Sequence, residues 1–282
     1  MPPYSFTTPR TAHYYSLGKP GPAIEHLWIC LHGHHQPVAA LAAQLVQLDT
    51  TERLLILPEA LSRHALPETS GRPTAALGVW FAPHSVTDDF ADVTTCLDGL
   101  TDIARARCPA GTPVTVLGYG HGAAAAVGWL TENHLDYDRL ILYAAVLPPE
   151  IDRRALFKAL PPRPIAVVST TTDAFIAETD GQGLVQDLRA AGHTARLSYA
   201  DEGPLTLAAL GAGREVKGAR RQGVFGSAPY RRCPSSAKFK RSTLTWGGLI
   251  KPSQGSSTRP STTVRTCEGG RCRAAATRAT CA

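Results

Sequence analysis

Apolar and polar positions between residues 12 and 200 fall into two alternating rhythms. Short unbroken apolar runs rich in Leu, Ile and Val read as buried strands: HLWICL (26–31), RLLILP (53–58), PVTVLG (113–118), DRLILYAA (138–145), PIAVVST (164–170) and TARLSYA (194–200). AHYYSLG (12–18) reads as a first strand at a sheet edge. Between the runs, apolar residues recur three or four apart, the spacing of one helix face. They predict helices over 37–48, 87–106, His121 to Asn133, 152–160 and 181–192. In the second of these, a Thr/Asp start precedes Phe90, Val93, Leu97, Leu100 and Ile103, which are expected to share the buried face. DEGPLTLAALGAG (201–213) starts as a further helix and stops early. Strands alternating with helices in this way predict an α/β fold, a mostly parallel sheet with helices on both faces.

The periodicity ends near residue 213, and composition changes at the same place. The net charge of +6 averages two unlike segments. Residues 1–212 carry 14 Lys and Arg against 21 Asp and Glu, whereas residues 213–282 carry 15 against 2. A basic surface is therefore a property of the tail alone, and contact with nucleic acid is expected only through it. The tail mixes Arg, Ser, Thr, Gly and Pro with too few spaced apolar residues to form a core. Three readings stand open for it: a disordered basic tail, an arm for an anionic partner, or residues translated out of frame. The chain thus divides into a body, 1–212, and a low-complexity tail, 213–282.

All ten histidines lie in the body. Cys30, Cys96 and Cys108 are isolated in or beside apolar runs and read as buried free thiols. The tail cysteines, Cys233, Cys267, Cys272 and Cys281, form no C-x-x-C pair and have no histidine nearby, so no zinc site is expected there. The N-terminal MPPYSFTTPR lacks a basic stretch followed by an apolar one, and no apolar run approaches the roughly 18 residues of a membrane span. A cytoplasmic protein without a transmembrane segment is the expectation.

Four stretches carry candidate chemistry: LHGHH (31–35), LGYGHGAAAA (117–126), TTDAFI (171–176) and RLSYADEGPL (196–205). In this order and spacing, over about residues 10–212, the chain resembles the α/β-hydrolase fold, specifically the phospholipase/carboxylesterase/thioesterase family of serine esterases. That resemblance implies a nucleophile elbow, G-x-S-x-G, in which a strained strand-to-helix turn presents a serine activated by histidine and an acid. Carried over by position, Gly118 and Gly122 are the flanking glycines and His121 supplies the first oxyanion N–H. His32-Gly33 matches the family's H-G pair and His34 takes the place of the second oxyanion donor. Asp173 stands at the triad acid. The nucleophile position is Gly120 and the histidine position Gly203, neither of which has a reactive side chain.

The resemblance therefore implies an inactive or impaired carboxylic-ester hydrolase homologue that uses no cofactor. A small ester or acyl compound is the expected ligand. Nearby groups do not replace the missing ones: His121 is a poor nucleophile, Tyr119 is expected to pack sideways, and Ser169 ends another strand. Two other functions compete. One is a metal-dependent hydrolase using the imidazoles of His32, His34 and His35; the other is a non-enzymatic binder of acyl or ester ligands. Removing residues 213–282 is expected to leave the melting temperature almost unchanged, because that segment lacks the apolar spacing to dock on a core. A loss of several degrees in a calorimetric scan would show that it packs there.

Overall fold

The fold is taken from a computed structural model that describes residues 4, 6, 8, 10–65, 76–81, 86–149, 151–170, 178–200 and 205–211. Asp173, Gly203 and the tail from residue 213 lie outside the described residues. Nine strands and five α-helices occur among those described. In chain order they are β1 (Tyr14–Leu17), β2 (His26–Leu31), α1 (Val38–Gln44), β3 (Arg53–Pro58), β4 (Ser62–Ala65), β5 (Ala76–Val79) and α2 (Val86–Arg105). There follow β6 (Val114–Tyr119), α3 (Gly122–Thr131), β7 (Arg139–Tyr143), α4 (Arg153–Ala159), β8 (Ile165–Thr170), α5 (Glu178–Ala190) and β9 (Ala195–Ala200).

Seven strands form one sheet in the order β1-β3-β2-β6-β7-β8-β9. Only β1 runs antiparallel, at the edge where the sequence pattern put it. The central strands are buried on both sides, which is why their sequences read as continuous apolar runs instead of alternating. Alternate residues supply two cores. Leu27, Ile29, Val114, Val116, Leu140 and Leu142 face α2, α3, α4 and α5. Trp28, Cys30, Leu55, Leu117 and Ile141 face α1 and the segment around Leu205 and Leu210.

Several expectations change in the structure. The helix predicted over 37–48 breaks after Gln44, where the Leu45 N–H is shared between the carbonyls of Leu41 and Ala42, and a 3-10 turn completes it at Val46–Leu48. In α2, Ile103 is 48% exposed while Ala104 is buried with Phe90, Val93, Leu97 and Leu100. At about 100° per residue, Ile103 lies well off the stripe that the other four define. Residues 205–211 form one turn instead of a helix, held by Leu210 N–H to Thr206 O (2.9 Å) and ended by Gly211 at φ +59°. Cys30 is buried, but Cys96 and Cys108 are only half-buried; all three are free. The hairpin β4–β5 is not legible in SRHA and ALGV, which are too short to show a period. Among the described residues, no helix is long and apolar enough to cross a membrane.

Helix α3 sits deep against the sheet because its residues are small. Ala123 to Ala126 are fully buried, and Gly128 lets α2 approach. A Cβ on Gly128 would run into Cε1 of the buried Phe90 ring. Gly128→Ala is expected to destabilise the fold by about 1–3 kcal/mol through overpacking, despite alanine's better helix propensity. Denaturant melts of Gly128→Ala in the wild-type and Phe90→Leu backgrounds check this, the penalty being smaller where the ring is gone.

Candidate functional site

Strands β2 and β6 are neighbours, with Leu31 paired to Gly118, yet the chain leaves them in opposite directions. From β2 it crosses to β3 on one side, and from β6 it crosses to β7 on the other. The loops beyond their carboxyl ends therefore diverge and leave a crevice, which is where ligands bind in open α/β sheets. His32-Gly33 and Gly120 flank it.

Two glycines let α3 start directly at this crevice. A Cβ on Gly118 would run into Ala123 Cα, and one on Gly122 would meet the carbonyl oxygens of Leu31 and His32 at 2.5 Å. Those obstacles are backbone, so neither position tolerates a side chain. Gly120, between them, differs. It has φ +55°, and beyond its two chain neighbours a Cβ there would meet nothing nearer than Gly33 Cα at 3.5 Å, an ordinary contact. Its N–H donates to Tyr143 O (2.9 Å), and its carbonyl accepts from Ala123 N–H (3.1 Å) and Val146 N–H (3.0 Å). The turn is thus fixed by main-chain bonds to β7 and α3. Tyr119 stacks on Tyr143, with ring centroids 5.1 Å apart, as a packing residue.

The three histidines of HGHH separate into two roles. His32 is fully buried; its Nδ1 lies 2.7 Å from Gly33 O and its Nε2 accepts from Ala60 N–H at 3.1 Å. Both ring nitrogens are therefore committed to backbone, in the neutral tautomer protonated at Nδ1. The His32 carbonyl accepts from Trp80 Nε1 (2.7 Å), and a Cβ on Gly78 would collide with the imidazole. His32 is a brace between β2, β3 and β5, so the competing alternative in which it joins His34 and His35 as a metal ligand loses that ligand. Among the described residues, no group of three or more His, Cys, Asp or Glu side chains is arranged to hold a metal ion.

Residues 33–36 form a turn closed by Gln36 N–H to Gly33 O (3.3 Å), while Gln36 Oε1 accepts from Gly33 N–H (2.7 Å). This turn carries the other two imidazoles to the crevice. His34 lies with its ring centroid 4.0 Å from His35 and 4.7 Å from His121. The structure thus brings together the two residues assigned to oxyanion binding, His34 and His121. Burial lowers the pKa of the half-buried His121, and the neighbouring His35 lowers it further.

A cleft of about 620 Å³ adjoins the Gly120 turn, whose carbonyl accepts from Val146 N–H, and is lined by Ala145, Val146, Leu147 and Ile151 and by the charged Arg153 and Asp180. Sequence reasoning missed it; the signal available was Pro148-Pro149, which marks a loop beyond β7. Ser169 is not at the crevice: it is buried under α5, where a Cβ on Gly181 would clash with its hydroxyl.

No family model matches the sequence, and no curated protein does. Among solved structures, the chain is similar to esterase PE8, with 18% identity, a TM-score of 0.50, and coverage of 72% of this chain and 96% of that one. It is also similar to acyl-protein thioesterase 2 of Zea mays, with 17% identity, a TM-score of 0.51, and coverage of 69% and 91% respectively. The chain has the α/β-hydrolase fold. Within that fold the loops after β2 and β6 occupy the crevice just described, and the mostly parallel sheet agrees with the reading of the sequence.

The brace of this α/β-hydrolase fold has a pH dependence. Burial holds the His32 pKa below its ordinary 6.5, opposed by the Gly33 hydrogen bond and by Glu59. Only the neutral ring can accept the Ala60 N–H. The stabilisation is complete above the unfolded value of 6.5 and is lost as pH falls through the lower folded value. Denaturant midpoints at pH 7.5 and 5.5 are expected to fall with pH in the wild type. His32→Asn should be less stable at pH 7.5 and show a shallower fall.

Proposed function

We propose that this chain is a carboxylic-ester hydrolase homologue without the covalent step, a pseudoenzyme or severely impaired esterase. The observation that supports it is Gly120: a residue at φ +55° in a tight strand-to-helix turn, flanked by two glycines that close approach requires, and lacking any side chain. On this reading Gly120 stands at the nucleophile position, Asp173 at the acid and Gly203 at the histidine. A serine at 120 would have room for its Cβ but would hold a left-handed backbone at about 1–3 kcal/mol. Glycine adopts that conformation at little steric cost. Loss of the serine therefore removes chemistry without loosening the fold.

A second function rests on the cleft. Ala145 to Pro149 and Ile151 give it an apolar part that adjoins Gly120 through the Val146 hydrogen bond, and Asp152, Arg153, Arg154 and Asp180 a charged part, a pairing that suits a small acyl ligand with a polar end, held without turnover.

The full chain is expected to resist labelling by a serine-directed fluorophosphonate and to show no acyl-enzyme burst. Gly120→Ser alone should take up little label, because a hydroxyl with no base within reach is a weak nucleophile at neutral pH. Gly120→Ser with Gly203→His should gain labelling and turnover beyond the product of the single effects, since triad members act as a unit. If the folded double variant is no faster than either single one, the assignment of Gly120, Asp173 and Gly203 fails.

A further inference from the structure

The charged part of the cleft beside the Gly120 turn is built around one buried carboxylate. We propose that this part receives an anion, held by the Arg153 guanidinium, so that the cleft takes acyl groups whose chain ends in a carboxylate: half-esters of short dicarboxylic acids.

The construction lies where α4 meets α5. Asp187 of α5 is buried, and two arginines from the start of α4 meet its carboxylate, Arg153 Nε at Oδ2 and Arg154 Nε at Oδ1 (3.2 Å). One buried carboxylate thus faces two cations, and the group keeps a net positive charge. The two arginines differ in setting: the Arg154 side chain is 81% exposed, whereas that of Arg153 is 48% exposed. Arg153 Nη2 lies 3.8 Å from where a Cβ on Gly183 would stand, so the guanidinium lies along α5 beside a residue with no side chain to cover it. Among the described residues, Asp187 is its one ionic or hydrogen-bonding partner, which leaves its terminal N–H groups to offer. A planar guanidinium matches a carboxylate with two parallel hydrogen bonds. Its ion pair with a buried group limits the side-chain freedom lost when a ligand binds.

The acidic side chains of the cleft do not occupy this place. Asp152 caps α4, its Oδ1 accepting from Arg154 N–H (3.1 Å) and Ala155 N–H (3.3 Å). Asp180 is exposed and stands seven residues before Asp187 in α5, about 10 Å along the helix, where water and salt screen it from the arginines. Ala145, Val146, Leu147 and Ile151 line the apolar part, and Val146 bonds to Gly120. A ligand with its acyl carbon toward Gly120, its methylene chain on these residues and its carboxylate at Arg153 meets each part with matching chemistry. The cleft volume of about 620 Å³ suits a molecule of that size.

This inference rests on the reading that the cleft takes an acyl ligand, so both are tested in one set of titrations. The full chain is titrated calorimetrically with the mono-4-nitroanilides of succinic, glutaric and adipic acids, which replace the ester by a stable amide. Each is compared with its neutral terminal amide, and 6-aminohexanoic acid 4-nitroanilide serves as a cationic probe. The best-fitting acid is expected to bind about tenfold tighter than its amide, a preference that shrinks as salt is added. Arg153→Ala should abolish the preference. Because that change also strips Asp187 of a partner, a second variant keeps the arginine: Gly183→Asp has room for its Cβ and sets a carboxylate beside Arg153 Nη2. It too should abolish the preference for the acid while leaving the affinity of the neutral amide unchanged. Equal binding of acid and amide, a preference that survives in either folded variant, or tightest binding of the cationic probe overturns the anion site and leaves acyl binding standing. Absence of binding by every anilide overturns both.

Discussion

Everything at the crevice depends on how closely α3 is allowed to approach β2 and β6. Gly118 and Gly122 set that distance, because any side chain at either would drive a carbon into backbone atoms. With the helix seated there, the two residues between the strand and the helix, Gly120 and His121, must make a tight turn, and Gly120 does so left-handed at φ +55°. The same seating brings His121 beside His34 and places the start of the helix at the divergence of the two loops.

Most of the sheet was legible from the chain because its central strands are buried on both sides and therefore uniformly apolar. What was not legible depended on contacts between distant segments. The hairpin β4–β5 has only four residues per strand, and its existence is tied to His32 and the 33–36 turn, which bond to Gly78 and pack beneath Trp80. Ile103 misled because three-or-four spacing admits positions at the border of a face; the angle around the helix excludes it. Among the candidate site residues, Gly118, Gly120 and Gly122 were assigned through the resemblance to the serine-esterase elbow, a pattern local in the chain. His32 was weighed as a metal ligand, since residue type alone cannot tell an imidazole with two backbone partners from one that is open to a cation.

The histidines of this region illustrate how environment divides one residue type. His32 is fixed in one tautomer by a carbonyl on one side and an amide on the other, so it lends rigidity and no reactivity. His121 experiences burial too, but its neighbours are other imidazoles and a helix start, all of which disfavour a positive ring. The first is a structural strut, and the second packs among imidazoles at the crevice.

The main-chain bonding of Gly120 has a consequence for descent. Its N–H and its carbonyl hold the turn to Tyr143, Ala123 and Val146, and none of these bonds involves a side chain at 120. The scaffold is therefore indifferent to what that codon encodes, so long as the residue tolerates the left-handed backbone. On the proposed reading, a nucleophilic serine there can be lost without a folding defect to select against the loss, and regained without rebuilding the turn. Architecture and chemistry are inherited separately at this position.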